Sequence, residues 1–371
     1  MFREIYLTKF FVSLLFFCCI IFSNTSSHCE EIVPPPKEDF SECGISNFDP
    51  FNEQNAADLG FNHIFKGSVV DDDRALPWMA TLQRLTIDTV QNATVYKPFC
   101  TASIIGPKHI LTAMHCFGSG DFNDGQFRVS FGAAQSSKQT QNFRIKSVKF
   151  HESAIYMQVK NVLKKNGEIL GLLAKPDFAI IESEVPIKFS ANVRPICLFG
   201  IGPSNSAIAF SGKFSVQSMN SRPFVVAGWG ITTPTCLKDS PSGPSDQLMY
   251  TTMRMMSKEE CFESETSQYL PSADDDAVDP RHFIANYMLK KDIEDKICVV
   301  PEPGDTEAGD SGSPLLSKIG DNNWVQIGVL HGGRCDKKHP FSIRGRNSLY
   351  TPIDCAWIAK ETNDEVKCIG W

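Results

Sequence analysis

The chain has 371 residues, of which 42% are hydrophobic and 21% are charged. This balance is typical of a folded globular protein and excludes a disordered or fibrous one. Its 36 basic and 43 acidic residues leave a net charge of −7 without a basic cluster that could neutralise phosphates, so we expect no nucleic-acid partner.

The first predicted element is a secretory signal peptide at residues 1–27. Its apolar run, Phe10–Phe22, follows two basic residues and is shorter than the roughly 20 residues that a membrane-spanning helix needs. A membrane anchor is the alternative. Cleavage is predicted after Ser27, or else after Cys29. No later stretch is long and apolar enough to span a bilayer, so the sequence predicts a secreted, extracellular protein with no membrane partner.

Residues 28–63 are predicted to be a leader or propeptide segment. They are polar and turn-rich, and three consecutive prolines at 34–36 favour an extended backbone. The folded domain and its C-terminal tail are then expected at 64–371.

From Ile64 onward the chain consists of short β-prone runs separated by turn residues, and helical periodicity is rare. Many short strands with irregular loops predict an all-β barrel or sandwich. The runs are Trp78–Leu82, Ile104–Leu111, Phe127–Phe131, Phe143–Phe150, Phe178–Ile181, Phe224–Ala227, Trp324–Leu330 and Ser348–Ile353.

Three features between these runs are expected on the surface. Met157–Lys175 and the acidic Ser264–Asp295 are predicted to be solvated loops inserted into the domain. Asn92-Ala93-Thr94 is an N-glycosylation sequon, so we predict a glycan on Asn92 of the exported protein.

The 13 cysteines suit an oxidising compartment, where disulfides persist. Cys18 and Cys19 would leave with the signal peptide, and a cut before Cys29 would then leave an odd number, with at least one cysteine unpaired within the chain. The sequence has no Cys-x-x-Cys pair and its eight histidines are scattered, so we expect no zinc site, no other metal and no cofactor.

Three separate segments supply the parts of a nucleophilic site. Glycines flank Ser311, so a tight turn can present its hydroxyl and aim peptide N–H groups at one oxygen. A serine hydroxyl is a weak nucleophile and needs a base, which in turn needs a group to orient it. His115 ends an apolar run beside Cys116, and Asp177 opens an apolar run that could bury its carboxylate.

Each segment alone also has an ordinary explanation as a turn, a core histidine or a strand-end cap. Their order along the chain is more informative. It runs His115, Asp177, Ser311, whereas α/β-hydrolases run Ser…Asp/Glu…His and subtilisins run Asp…His…Ser.

With this order the sequence resembles the trypsin/chymotrypsin-like serine proteases, from about Ile64 to Thr362. The resemblance implies two packed six-stranded antiparallel β-barrels with a short C-terminal helix and a cleft between the barrels. Further landmarks of the family are Pro77-Trp78, Arg194-Pro195-Ile196-Cys197-Leu198, Gly228-Trp229-Gly230, Tyr350-Thr351 and Trp357-Ile358.

The resemblance also implies a hydrolase that cuts peptide bonds. Ser311 would attack the carbonyl, His115 would take and return the proton, and Asp177 would orient the imidazole. The N–H groups of Gly309 and Ser311 would form the oxyanion hole. The implied partners are protein or peptide substrates and protease inhibitors.

By the same resemblance, three disulfides are implied. Cys100–Cys116 would lie beside the catalytic histidine, Cys261–Cys298 would enclose the acidic insertion, and Cys43–Cys197 would tether a cleaved leader. No pairing is assigned to Cys29, Cys236, Cys335, Cys355 and Cys368.

Relatives in this family are made as zymogens, in which a new N-terminus inserts its ammonium beside the carboxylate that precedes the catalytic serine. That carboxylate is Asp310 here, and the matching segment is Ile64-Phe65-Lys66-Gly67, so we predict cleavage before Ile64. His63 precedes the cut, where trypsin-like activating proteases find Arg or Lys.

Asp305 stands six residues before Ser311, at the floor of the primary specificity pocket of trypsin-like relatives. A buried carboxylate without a partner would favour a cationic substrate side chain, which predicts cleavage after Lys or Arg. The surroundings depart from the family: Glu307 replaces a cysteine, Leu330-His331 replaces Ser-Trp, and Ser348 replaces a glycine.

These departures leave an alternative function, a catalytically silent protease-like binding protein. The intact set of Ser, His and Asp favours the enzyme, because these groups contribute nothing special to packing at those places.

Overall fold

The computed structural model of the chain describes residues 43–51, 64, 66–88, 92–118, 125–152, 157–158, 172–173, 176–200, 223–234, 243–266, 290, 293–319, 321–333 and 346–369. The predicted signal peptide, most of the predicted leader and three of the unassigned cysteines (Cys29, Cys236, Cys335) lie outside these residues.

The strands of the described chain are β1 (Ser68–Val69), β2 (Met79–Asp88), β3 (Ala93–Ile104), β4 (His109–Thr112), β5 (Phe127–Phe131), β6 (Gln141–Phe150), β7 (Met157–Gln158), β8 (Leu172–Leu173), β9 (Ala179–Ser183), β10 (Cys197–Leu198), β11 (Phe224–Gly228), β12 (Met249–Met255), β13 (Ile297–Glu302), β14 (Pro314–Lys318), β15 (Trp324–Gly333) and β16 (Ser348–Pro352). The helices are α1 (Lys258–Thr266) and α2 (Cys355–Glu361).

The first barrel closes from six antiparallel strands in the order β2-β3-β4-β9-β6-β5. Its apolar side chains form a core in which Leu82, Ile104, Val129 and Ile181 are fully buried. Removing each such side chain from water contributes about 1.5–3 kcal/mol, so the barrel is held together mainly by this core.

The second barrel follows the order β12-β11-β14-β15-β16-β13, and pairing of β12 with β13 closes it. β1 extends it at β12, and β10 pairs in parallel with β15. Two closed six-stranded antiparallel barrels, with α2 near the C-terminus, confirm the predicted fold class.

One predicted run is two strands. The run Ile104–Leu111 contains a turn, because β3 ends at Ile104 and β4 begins at His109. Gly106 accepts a hydrogen bond from the His109 N–H at 3.4 Å across this turn. Pro107 has no N–H to give to a sheet ladder, which is why the apolar run cannot continue as one strand.

The two predicted insertions lie largely outside the described residues. In the first, β7 and β8 pair antiparallel. In the second, α1 extends as far as Thr266. Their assignment as solvated loops stays a prediction for the remaining residues.

The helices of the described chain are short, nine residues for α1 and seven for α2. The Asp354 carboxylate caps α2 by accepting the Trp357 N–H at 3.0 Å, which satisfies one of the free donors of the first turn. No helix within the described residues is long and apolar enough to cross a bilayer.

Four disulfides lie within the described part of the chain: Cys43–Cys197, Cys100–Cys116, Cys261–Cys298 and Cys355–Cys368. The first three are the pairs that the resemblance implies, and the fourth joins two cysteines that had no assigned pairing. Cys100–Cys116 ties β3 to the short 3-10 helix Met114–Phe117. Closing a loop of this length stabilises by about 3 kcal/mol in the chain-entropy model.

The described part of the predicted leader, residues 43–51, is docked on the second barrel. Gly44 donates its N–H to Pro195 at 2.9 Å and accepts the Trp324 N–H at 2.8 Å. Its φ is +66°, and a Cβ there would lie 2.1 Å from the Trp324 oxygen, so only glycine fits. The Phe48 ring lies 6.1 Å from the Trp324 ring. The leader is therefore held by backbone and ring contacts as well as by its disulfide.

Candidate active site

His115 and Asp177 are brought together by the pairing of β4 with β9. Thr112, the last residue of β4, lies opposite Ala179, the first residue of β9. The chain continues from β4 to His115 and enters β9 just after Asp177, so both residues lie at the same end of this strand pair.

The Asp177 carboxylate accepts two hydrogen bonds from His115. Its Oδ2 accepts from Nδ1 of the imidazole at 2.6 Å, and its Oδ1 accepts from the His115 backbone N–H at 2.9 Å. Because an ionised carboxylate only accepts, the Nδ1 atom carries the hydrogen and Nε2 of the neutral ring is the proton acceptor. The ring is thus fixed in the tautomer that a general base requires.

Burial and charge oppose each other in this pair. Burial disfavours the charged imidazole, but the charge and the hydrogen bond of Asp177 outweigh it and raise the pKa of His115. Burial would raise the pKa of Asp177, yet the charge and hydrogen bond of His115, with the hydrogen bond of His331, hold that pKa well below its ordinary value. Asp177 is therefore held as an ionised carboxylate beside the imidazole.

A second histidine shares the same carboxylate oxygen. His331, on β15 of the second barrel, donates from Nδ1 to Asp177 Oδ2 at 2.5 Å, and its ring stands edge-on to the His115 ring at 6.1 Å. In the sequence, His331 stands out only as a departure from Ser-Trp. In the structure its hydrogen bond helps to hold the carboxylate that contacts His115.

The three side chains His115, Asp177 and His331 also converge as metal ligands would, with ligand atoms within 4.8 Å of one another. Both Nδ1 atoms are already engaged with the carboxylate at 2.6 and 2.5 Å. A metal ion would have to displace both hydrogen bonds, so the arrangement fits a proton-handling site better than a metal centre.

The raised pKa of His115 predicts the pH dependence of the site. The base works only when neutral, so kcat/KM should rise with pH through a midpoint above about 6.5, the ordinary histidine value. Titration of the His115 ring resonances by NMR, in protein carrying Ser311→Ala, should give the same midpoint without interference from turnover. A ring midpoint at or below 6.5 would contradict this pairing.

The loop that carries Ser311 is docked against the first barrel next to His115. Thr101 of β3 donates its backbone N–H to the Ser311 carbonyl at 2.9 Å and its hydroxyl to the Gly309 carbonyl at 3.0 Å. Gly312 has a φ of +87°, and a Cβ there would lie 2.3 Å from the Thr112 hydroxyl. The turn therefore requires glycine at position 312. It lies against Thr112, the last residue of β4, which precedes His115 by three residues.

Two backbone N–H groups of this loop have no hydrogen-bond acceptor among the described residues. Those of Asp310, Gly312 and Ser313 donate to backbone carbonyls at 2.9–3.0 Å. The N–H groups of Gly309 and Ser311, and the Ser311 hydroxyl, donate to no residue that the structure describes. Two unengaged N–H groups are the donors that an oxyanion would need. The Ser311 hydroxyl forms no hydrogen bond to His115, so the contact between nucleophile and base is not made in this structure.

Asp310 is a buried carboxylate enclosed by backbone. Its two oxygens accept the N–H groups of Gly230 at 2.8 Å and Glu307 at 2.9 Å. Burial raises the pKa of Asp310 to about 7, despite these two donors. No cationic group of the described chain forms an ion pair with it. Such a group is suited to receive a cation that arrives later.

Asp305 is not the unpaired charge that the sequence predicts. It is fully buried, and its Oδ2 accepts a hydrogen bond from Nη1 of Arg346 at 3.0 Å. The same Nη1 donates to Glu307 Oε1 at 2.8 Å, and Ser348 donates to Asp305 Oδ1 at 3.1 Å. Burial raises the pKa of Asp305 to about 6 against the charge of Arg346. The premise for selecting a cationic substrate, a carboxylate without a partner, is therefore wrong.

Comparison with known proteins agrees with the fold. Residues 64–354 match the family model described as Trypsin. Venom serine protease 34 of Apis mellifera is 22% identical over 351 residues, which cover 93% of this chain and 70% of the relative.

Two further relatives carry the name Transmembrane protease serine 11G. The protein of Rattus norvegicus is 24% identical over 288 residues, covering 77% of this chain and 52% of the relative. That of Mus musculus is 24% identical over 293 residues, covering 79% and 54%. The chain thus spans about half the length of these two relatives.

Proposed function

Since the chain belongs to the trypsin family of serine proteases, we propose that it is a secreted serine endopeptidase made as a zymogen. The observation that carries the proposal is the site itself: the open N–H groups of Gly309 and Ser311 lie in a loop docked beside His115 and its buried partner Asp177. Membership of the family alone does not require these N–H groups to be free.

In the proposed mechanism, Ser311 Oγ attacks the peptide carbonyl as His115 Nε2 removes its proton. The carbonyl oxygen becomes an oxyanion held by the N–H groups of Gly309 and Ser311. His115 then protonates the leaving amine, and water repeats the sequence on the acyl-enzyme. Asp177 stabilises the imidazolium that forms in each half, and His331 holds Asp177 in place.

A serine-directed fluorophosphonate probe tests the proposal. The secreted protein should be labelled covalently after processing, and a Ser311→Ala protein handled in parallel should not. A processed, folded protein that resists labelling would instead support the alternative, a silent protease-like binding protein.

Export is proposed from the signal-like run at residues 1–27 together with the disulfides, which suit an oxidising compartment. Asn92 is exposed immediately before β3, at a place a glycan could reach. We therefore include glycosylation of Asn92 in the proposal. Protein or peptide substrates and protease inhibitors are the proposed partners.

Maturation should occur by cleavage before Ile64, with the leader 28–63 held on through Cys43 and Cys197. The new ammonium of Ile64 would give Asp310 the cation that it lacks among the described residues. The backbone of Lys66 already lies beside Gly304, where a Cβ would come within 2.7 Å of it. Non-reducing gels should show one band, and reduction should release a short leader peptide.

N-terminal sequencing of the probe-labelled protein checks the cut. Ile64 should be found as a new N-terminus, together with the start of the retained leader. Labelled protein whose only N-terminus lies near His28 would exclude the ammonium-to-Asp310 mechanism. Residue His63 lies outside the described residues.

A further inference from the structure

We propose that Arg346 is a specificity-determining residue: it fills the primary pocket from within, so the enzyme cleaves after short uncharged residues and not after Lys or Arg. This inference rests on the proposed function, because it names the substrate class of the same site.

The charge at the pocket floor is already satisfied. A single guanidinium nitrogen of Arg346 bonds to both Asp305 and Glu307, at 3.0 and 2.8 Å. All three side chains are at most 2% exposed. A substrate cation would have to displace a buried ion pair of the enzyme itself, and separating such a pair leaves an uncompensated buried charge.

Glu307 completes this arrangement. It stands where the family has a disulfide cysteine, so an ion pair to Arg346 replaces the bridge that would brace the pocket wall. Because Arg346 is held by two carboxylates, its charge is not available to an acidic substrate residue.

The walls above the floor are closed by hydroxyl contacts. Thr306 and Ser348, from two different wall segments, hydrogen bond to each other at 2.8 Å. On a third segment, a methyl group placed on Gly333 would lie 3.3 Å from both hydroxyls and 3.4 Å from the Asn347 carbonyl oxygen. A long side chain would have to disrupt these contacts to reach Asp305, whereas a short one needs no such depth.

Binding of benzamidine, a small aromatic cation that mimics an arginine side chain, tests the pocket without requiring catalysis. Full-length protein carrying Ser311→Ala should show no saturable binding in calorimetric titration. Adding Arg346→Ser should free Asp305 and tighten binding by about tenfold or more. The matched control, Asp305→Asn with Arg346→Ser, should lose this gain, because the floor is then without its carboxylate.

Saturable benzamidine binding to protein with Arg346 intact, at the affinity of the Arg346→Ser form, would overturn the proposal. The proposal would also be overturned if Arg346→Ser protein bound benzamidine with the same affinity with and without Asp305→Asn. Benzamidine binding does not depend on catalytic activity, so the two proposals can fail separately. If the protein failed to react with the fluorophosphonate probe, the proposed function would be refuted and the pocket test would remain valid.

On processed active protein, a peptide library varied at the residue before the cut gives the second readout. Cleavage after Ala, Ser, Thr or Val should exceed cleavage after Lys or Arg by about tenfold or more. Predominant cleavage after Lys or Arg would overturn the assignment of Arg346, even if Arg346→Ser failed to fold.

Discussion

Replacing Ser311 with alanine should lower turnover by about 10⁶-fold, the loss that follows removal of the nucleophile in a serine protease. The reason is that the Ser311 hydroxyl is unengaged and partly exposed in the loop that carries the open N–H groups of Gly309 and Ser311, whereas the other unengaged hydroxyl of this loop, on Ser313, is fully buried. Peptide hydrolysis by processed protein is the measurement, with the residual rate compared with the uncatalysed reaction.

The matched variant is His115→Ala, alone and combined with Ser311→Ala. Ser311 and His115 act as a unit, so the double variant should lose little more than either single variant. Additive losses, or wild-type peptidase activity in purified Ser311→Ala protein, would show that the nucleophile is misassigned. Binding of the leader and the thermal unfolding midpoint should be unchanged, because Ser311 is not part of the buried core.

The second large effect is expected for Asp177→Asn, which should lower kcat by about 10⁴-fold, as the corresponding change does in a Ser-His-Asp triad. Asp177 Oδ2 accepts from two imidazoles, and Oδ1 accepts the His115 backbone N–H. An asparagine must place its NH₂ at one of these positions. If the NH₂ faced the imidazoles, Nδ1 of His115 would have to accept a hydrogen bond. The ring hydrogen would then lie on Nε2, and the general base would be lost.

The control for this effect is His331→Ala. It leaves both bonds between His115 and Asp177 and removes only the second histidine, so its loss of kcat should be far smaller. If His331 positions the carboxylate, the pH midpoint of kcat/KM should also move, which a purely structural role would not produce. Asp177→Asn protein that keeps kcat within tenfold of the wild type would show that the tautomer argument does not apply.

Much of the fold could be predicted because its signals are local. Short β-prone runs between turn residues indicate strands whatever their partners, and both barrels contain the runs that the sequence marks. The run Ile104–Leu111 was wrong as a single strand because its apolar character masked a Gly106-Pro107 turn. The strands β12, β13 and β14 of the second barrel were not predicted. The glycines around Ser311 are likewise a local signal, since Gly312 has a backbone conformation and a close contact that only glycine allows.

The sequence by itself therefore determined the all-β character, the order of the three chemical groups and the family to which they point. Only the tertiary structure decided which charges meet. Nothing in the sequence singles out Arg346, 41 positions from Asp305, yet it is buried against that carboxylate. His331 lies 154 positions from Asp177, and both His331 and His115 bond to the same oxygen of that carboxylate.

The hydrophobic pattern of a sequence shows which side chains are buried on folding, but the partner of a buried charge depends on strand pairing between distant segments. Because an unpaired buried charge is so costly, that partner decides whether Asp305 can bind a substrate at all.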